Sequence, residues 1–380
     1  MPRLFLHIGA HKTGTTALQQ NLHRNRVLLA ACGASFVCGP NAAHLHSYIG
    51  SPTRGALLPE GFAVLDPAGL AARLADAGQD TVIASTENLS FFFHKAPIAA
   101  LERLLRPLFD DITIVSYLRR QDRHAISHHQ EGAKPGRRAE GELWGHAPTA
   151  LPDYSPAQVL YLDYDRRLGL WAEVFGPEKL MLRVFDRSLL KDGDIFVDFL
   201  SVIGLAVAGF PSIGDRNVSL GAAQTIAGHL MNAANLRPRV IETVQKSLPS
   251  DGILLPSRDQ AERFLDRYRA SNRRLNAQFA VSPLPDLFND DFQDYPETPQ
   301  SEWTVVEATA TLRALMVELA DVVPALNALT ADDLRFAAQA LAQSQPNSAQ
   351  RLINAAAVLR PDGLAIQRLK SELNRRTRPT

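Results

Sequence analysis

Near the N-terminus, Gly9-Ala10-His11-Lys12-Thr13-Gly14-Thr15-Thr16 combines two glycines, a histidine, a lysine and three threonines in eight positions. A turn of this kind feeding a helix offers backbone N–H groups, a positive helix end and a mobile ammonium to a single ligand. That is the chemistry of a phosphate or sulfate cradle, with His11, Lys12, Thr13, Gly14, Thr15 and Thr16 as its candidates. It is not a Walker A loop, whose lysine directly follows the second glycine; here Lys12 precedes Gly14 by two residues.

A second constellation lies further on. The apolar run at residues 112–118 ends in Arg119, and Ser127 follows eight positions later. A planar guanidinium chelates phosphate oxygens, and a hydroxyl about two helical turns on reaches the same group. Arg216-Asn217-Val218-Ser219-Leu220 adds Asn217 and Ser219, which serve equally well as helix caps. Glu87 follows the β-branched run 81–85 as a carboxylate at a helix start. His124 and His128 have the i, i+4 spacing of a metal pair, but no third ligand is apparent, so no metal is expected and a solvated or cleft-lining face is the better reading. The sequence contains neither His-Glu-x-x-His nor Gly-x-Gly-x-x-Gly.

These residues need elements to hold them. Short apolar runs at 4–8, 35–37, 81–85, 112–118 and 179–185 read as strands. Helical spacing predicts helices over 15–29, 67–77, 97–108, about 121–132, 163–175, 194–203 and from 220 toward 235. Residues 39–61 and 132–156 read as loops. Alternating strands and helices predict a parallel sheet with helices on both faces. Ligands of such sheets sit beyond the carboxyl ends of the strands, where the cradle, Glu87 and Arg119 all fall.

Lys12-Thr13-Gly14-Thr15-Thr16 after a strand resembles the 5′-phosphosulfate loop of sulfotransferases that use 3′-phosphoadenosine 5′-phosphosulfate (PAPS). Arg119 with Ser127 resembles their grip on the 3′-phosphate. The Asn217-x-Ser219 segment is similar to one found late in bacterial-type members and departs from the Arg-Lys-Gly segment of the cytosolic animal enzymes. Leu168-x-x-Trp171, Phe175-Gly176 and Val184-Phe185-Asp186 resemble the central region of the family. The resemblance covers about residues 1–296 and implies a P-loop-like sulfotransferase fold. It implies PAPS as co-substrate, no metal, Glu87 as base by analogy with glutamate-base members, with His44, His46 and His94 competing for that role, and Lys12 stabilising the leaving oxygen. Contacts to the nucleotide would come from the cradle, Arg119, Ser127, Asn217 and Ser219. The acceptor would be a hydroxyl or amine of a carbohydrate or small molecule, with Arg137, Arg138 and Trp144 on the 132–156 loop facing it. A P-loop kinase or NTPase, and a non-catalytic nucleotide-binding protein, are the alternatives.

Composition sets the bounds. The 380 residues carry 40 basic and 40 acidic side chains, so no global charge points to nucleic acid or an anionic membrane. Cys32 and Cys38 lack the count of a disulfide-stapled domain and the spacing of a zinc or redox motif. No signal segment and no membrane-spanning run stand out, which together predict a cytoplasmic protein. The expected division is a sulfotransferase domain over 1–298 and an α-helical C-terminal extension over 299–380, rich in Ala and Leu. Its apolar faces would pack on the core or on another copy of the chain, giving a homo-oligomer.

Overall fold

The protein is described from a computed structural model, which covers residues 2–39, 45–52, 61–137, 143–212, 219–300, 303–328 and 330–376, with side chains left out at 318–328 and 376. Strand β1 (Arg3–His7) leads through the cradle into α1 (Thr15–Arg24), and α2 (Arg26–Ala31) follows. The single helix expected over 15–29 is therefore two, parted at Asn25, whose side chain donates to the carbonyls of Asn21 and Pro211. Then come β2 (Ala34–Phe36), a small antiparallel pair β3 (Ile49–Gly50) and β4 (Ala63–Val64), and α3 (Pro67–Ala75). That pair lies partly in what the sequence reads as loop; two-residue strands leave no periodicity to detect.

Strand β5 (Thr81–Ser85) ends in a 3₁₀ turn, Glu87–Phe91, followed by α4 (Lys95–Leu105), β6 (Asp111–Leu118) and α5 (Gln121–Gly132). Beyond lie α6 (Pro156–Leu162), α7 (Tyr164–Phe175), β7 (Leu180–Val184) and α8 (Ile195–Val202). Helices α9 (Ala222–Ala233), α10 (Pro238–Ser247), α11 (Arg258–Asp266) and α12 (Arg269–Phe279) complete the run toward residue 300.

The main sheet has five strands in the order β2-β5-β1-β6-β7, and every pairing is parallel. Because both faces are covered, each strand is apolar on both sides. Leu4 and Leu6 of β1 share one core with Val82, Ala84, Ile112 and Ile114. Phe5 faces the other way, into a core with Ile83, Val115, Tyr117 and Phe199. The period-2 alternation of a strand thus divides one hydrophobic sequence between two layers. Helix α7 lays Leu168, Trp171 and Phe175 against the first layer at helical spacing. Trp171 is fully buried and stacks on Phe92, 6.0 Å between ring centroids.

With β1 central and β5 and β6 on either side, the three loops that leave their carboxyl ends are neighbours. This is the topological position at which open parallel sheets bind ligands.

The chain forms two compact units, Met1–Ala308 and Thr309–Thr380. Helix α13 (Val305–Ala328) begins in the first. In the second, α14 (Ala331–Leu341) packs along α15 (Pro346–Leu359), and α16 (Leu364–Arg376) packs on both. Ala338, Ala349, Ile353, Ala356, Ile366 and Leu373 form its core. Among the described residues no helix is long and apolar enough to cross a membrane.

Candidate active site

Ser116 at the end of β6 and Gly9 after β1 fix the cradle to the sheet. The Ser116 hydroxyl donates to the Gly9 carbonyl at 2.8 Å, and the Tyr117 N–H donates to it at 3.1 Å. Gly9 has φ +88°, and a Cβ there would stand 3.1 Å from the Glu87 Cα. Only glycine lets the cradle lie this close to the β5 loop without strain. The chain then turns through Lys12 (φ 59°) and Gly14 (φ 75°) into α1.

The loops enclose a cleft of about 920 Å³. His11, Lys12, Gly14, Thr15 and Thr16 line it, as do Glu87, Arg119, Ser127 and Ser219. Among the described residues seven Lys and Arg side chains stand on its wall against three carboxylates, so it is a net cationic cleft in a chain without net charge. Such a wall concentrates anions. Asn217, Arg138 and His44 lie outside the described residues.

One cradle residue does something other than expected. Thr13 is fully buried, and its hydroxyl donates to the Ala10 carbonyl at 2.7 Å. It shapes the loop from behind and is not a hydroxyl donor to the cleft. Trp144 likewise does not face an acceptor: it is 1% exposed and packs on His128 and Tyr161. His94 stands exposed at the start of α4, off the cleft wall. Of His124 and His128, expected on a solvated or cleft-lining face, only His128 lines the cleft. His124 is buried and bonded through Nδ1 to the Tyr164 hydroxyl at 2.9 Å, while His128 sits at the cleft wall. Among the described residues no group of three His, Cys, Asp or Glu side chains is arranged to hold a metal.

Arg119 is half-buried. Its Nη1 donates to the Lys12 carbonyl at 3.0 Å, and its guanidinium lies 6.0 Å from the Phe185 ring centre. Neighbouring Arg120 is differently employed. It makes a two-point ion pair with Asp122 at 2.8 and 2.9 Å and donates to the carbonyls of Asn289 and Asp291. Tyr295 closes that network with a 2.6 Å bond to Asp122. Arg120 therefore fastens the segment 289–295 to the start of α5, which leaves Arg119 the arginine that touches the cradle itself.

Glu87 opens the 3₁₀ turn at the β5 end. Its Oε2 accepts from Gln19 Nε2 at 2.9 Å and lies 3.7 Å from His46 Nε2. Gln19 also donates to Ser85, which bonds His7 at 2.8 Å, so the carboxylate is braced through α1 and the sheet. Burial alone would push the Glu87 carboxyl up; His46, His11 and Gln19 outweigh it and hold the group at about 2. At neutral pH Glu87 is therefore a carboxylate, the form that accepts a proton.

Lys12 Nζ pairs with Glu131 Oε2 at 3.1 Å. Lys134 and Arg137 reach the same carboxylate at 2.9 and 3.2 Å. Burial would push Glu131 up, but Lys12 and Lys134 hold it down at about 2. Glu131, Lys134 and Gln19 are absent from the residues that motif spacing singles out. A signal for Glu131 existed: it lies four residues after Ser127 on α5, hence on the same helix face. Gln19 carries no such signal, because its contact with Glu87 spans 68 positions.

No family model matches the chain. An uncharacterized protein of Archaeoglobus fulgidus is 25% identical over 175 residues, 44% of this chain and 45% of that protein. The chain thus matches under half the length of that curated relative. Among solved structures, a sulfotransferase from Alicyclobacillus acidocaldarius aligns over 74% of this chain and 97% of its own, at 14% identity and a TM-score of 0.39.

Proposed function

We propose that the protein is a PAPS-dependent sulfotransferase that moves a sulfuryl group to a hydroxyl or amine of a small-molecule or carbohydrate acceptor. Residues 1–298 would carry the activity, with 299–380 as a helical extension. The observation that carries this reading is the meeting of Lys12, Glu87, Arg119 and Ser127 in one cationic cleft at the carboxyl edge of the sheet. PAPS is an anion at both ends, and the donor set suits it. The cradle and Lys12 form one anion site, and Arg119 with Ser127 and Ser219 a second on the same wall.

In the transfer, the acceptor oxygen or nitrogen bonds to sulfur as the bond from sulfur to the 5′-phosphate oxygen breaks. Glu87 takes the acceptor proton, and 3′-phosphoadenosine 5′-phosphate leaves. Lys12 neutralises the charge that grows on the departing oxygen, the usual source of most of the rate gain in such sites. To do so it must exchange its Glu131 partner for the nucleotide. Arg119 and Ser127 hold the far phosphate and set the in-line geometry, which in group transfer of this kind is most of what a protein contributes.

The test is transfer of labelled sulfate from PAPS to a panel of saccharides, phenols and amines. Label in any acceptor, lost in Glu87→Gln, is the expected result. ATP-dependent phosphorylation of the same panel would overturn it in favour of a kinase.

A further inference from the structure

His11 stands between Lys12 in sequence and Glu87 in space, on the wall of the cleft. Its ring is clamped. Phe91 lies 4.6 Å from it and His128 is stacked at 4.9 Å and 21°. Its Nδ1 edge faces inward, 2.9 Å from the Tyr161 hydroxyl and 3.1 Å from Ser90 Oγ. With Nδ1 turned inward, the opposite Nε2 edge is the one left toward the cleft that the half-buried His11 lines.

The protons around that edge can be counted. The Ser90 hydroxyl donates to the Glu87 carbonyl at 2.6 Å, so its oxygen can only accept elsewhere. The Tyr161 hydroxyl accepts from the His11 backbone N–H at 3.1 Å. Its own proton can go to His11 Nδ1 at 2.9 Å or to Ser90 at the 3.5 Å limit. Tyr161, nearer to Nδ1 than Ser90 is, would make Nδ1 an acceptor and leave the single ring N–H on Nε2; Nδ1–H donated to Ser90 is the competing tautomer, which the Gln and Asn variants below separate from it. Behind Tyr161, the fully buried Arg167 lies 5.2 Å from the ring centre, with two guanidinium nitrogens unpartnered among the described residues. A cation there strengthens the phenol as a donor. Burial takes the His11 imidazole down to about 4 against the pull of Glu87, with Arg167 and Lys12 reinforcing the fall.

We propose that His11 is a catalytic residue that donates a hydrogen bond from Nε2–H to the non-bridging oxygens of the sulfuryl group in flight, and that Tyr161 is the positioning residue that fixes its tautomer. No proton is transferred by His11; the acceptor's proton still goes to Glu87. The assignment rests on the sulfotransferase reading of the cleft.

Two measurements on the full chain test it. One is calorimetric binding of 3′-phosphoadenosine 5′-phosphate. The other is single-turnover cleavage of PAPS to that nucleotide and sulfate, with water as acceptor. His11→Ala should keep nucleotide affinity within about threefold, because the bond is made to the group in transfer. Its cleavage rate should fall by about 10²–10³, the usual worth of one such donor. His11→Gln places an amide N–H near the position of Nε2 and should recover most of the rate. His11→Asn places it near Nδ1 and should not. Tyr161→Phe should slow cleavage about tenfold in the natural background and not at all beside His11→Ala, the coupling expected of groups that act as one. Wild-type cleavage rates in His11→Ala, or equal rates in the Gln and Asn variants, would overturn the role of His11 alone. A natural protein that does not bind the nucleotide would overturn the reading of the cleft and this role with it.

Discussion

Lys12 and Glu131 hold each other at 3.1 Å, and the cleft thus carries its own anion opposite the cradle lysine. Among the described residues Arg119 makes no such carboxylate pair; it braces the cradle through the Lys12 carbonyl. Removing either cation should weaken binding of 3′-phosphoadenosine 5′-phosphate on the order of 10- to 100-fold, the loss typical of a charge-assisted hydrogen bond. Equilibrium titration of Lys12→Ala and Arg119→Ala checks it. Glu87→Gln should behave in the opposite way. Nucleotide affinity should hold while turnover slows by about 10²–10⁴, the contribution of a positioned base. Since Glu87 loses its proton at about 2, its share of the pH–rate profile should be flat from pH 5 to 9 and fall only as the pH approaches that value. At this scale the gathering of residues into one cleft was legible wherever the candidates lie in a short window or at a strand end: the cradle, Arg119 with Ser127, Glu87. It was silent on Gln19 and Tyr161, which reach the site from 68 and 150 positions away through the fold. It misled at Thr13 and Trp144, because residue type does not reveal which way a side chain turns.

Helix α5 shows how one element serves both site and scaffold. One face carries Ser127 and Glu131 to the cleft, and the flanking strip buries His124 and His128. Its end is fixed by α9, where the approach is so close that a Cβ on Gly228 would meet the Ala133 carbonyl and the Gln245 side chain. Gln245 Nε2 itself donates to the Ala133 carbonyl at 2.9 Å. Gly228→Ala should therefore cost about 1–3 kcal/mol, the range for forcing extra volume into a packed contact. Chemical denaturation would show it as a lowered midpoint at unchanged slope. The long parallel strands and α5 were readable because burial on two faces and helical spacing leave strong patterns. Helices α10 to α12 were not singled out. They are short and highly charged, and what makes them helices is packing and caps such as Ser257 with Gln260.

Across the whole molecule the buried histidines stand out. His7, His11 and His129 are each taken down by burial to about 4, and His229 to about 2; His124 and His128 fall well below the usual value of 6.5. His129 and His229 even stack ring on ring at 4.0 Å, an arrangement two imidazoliums would oppose. Below about 6.5 the unfolded chain binds protons that the folded chain refuses, so stability rises with pH from about 4 to 6.5 and is lost on acidification. Each such group steepens the fall by up to about 1.4 kcal/mol per pH unit. Glu87 and Glu131 act at lower pH. Their stabilisation is present above the ordinary carboxylate value of 4.5 and disappears as the pH falls toward 2. Thermal unfolding should accordingly show a midpoint insensitive to these groups from pH 7 to 9 and dropping steeply below 6.5. A midpoint unchanged down to pH 4.5 would contradict the buried neutral histidines.

The proposed function requires the cationic cleft of this otherwise neutral chain to take a 3′-phosphoadenosine nucleotide with a 5′-phosphosulfate. Calorimetry of 3′-phosphoadenosine 5′-phosphate against ADP and ATP, each with and without magnesium, tests it most directly. Binding that needs the 3′-phosphate and ignores magnesium is the predicted result. A preference for ATP with magnesium would contradict it and make the cradle a kinase or NTPase loop.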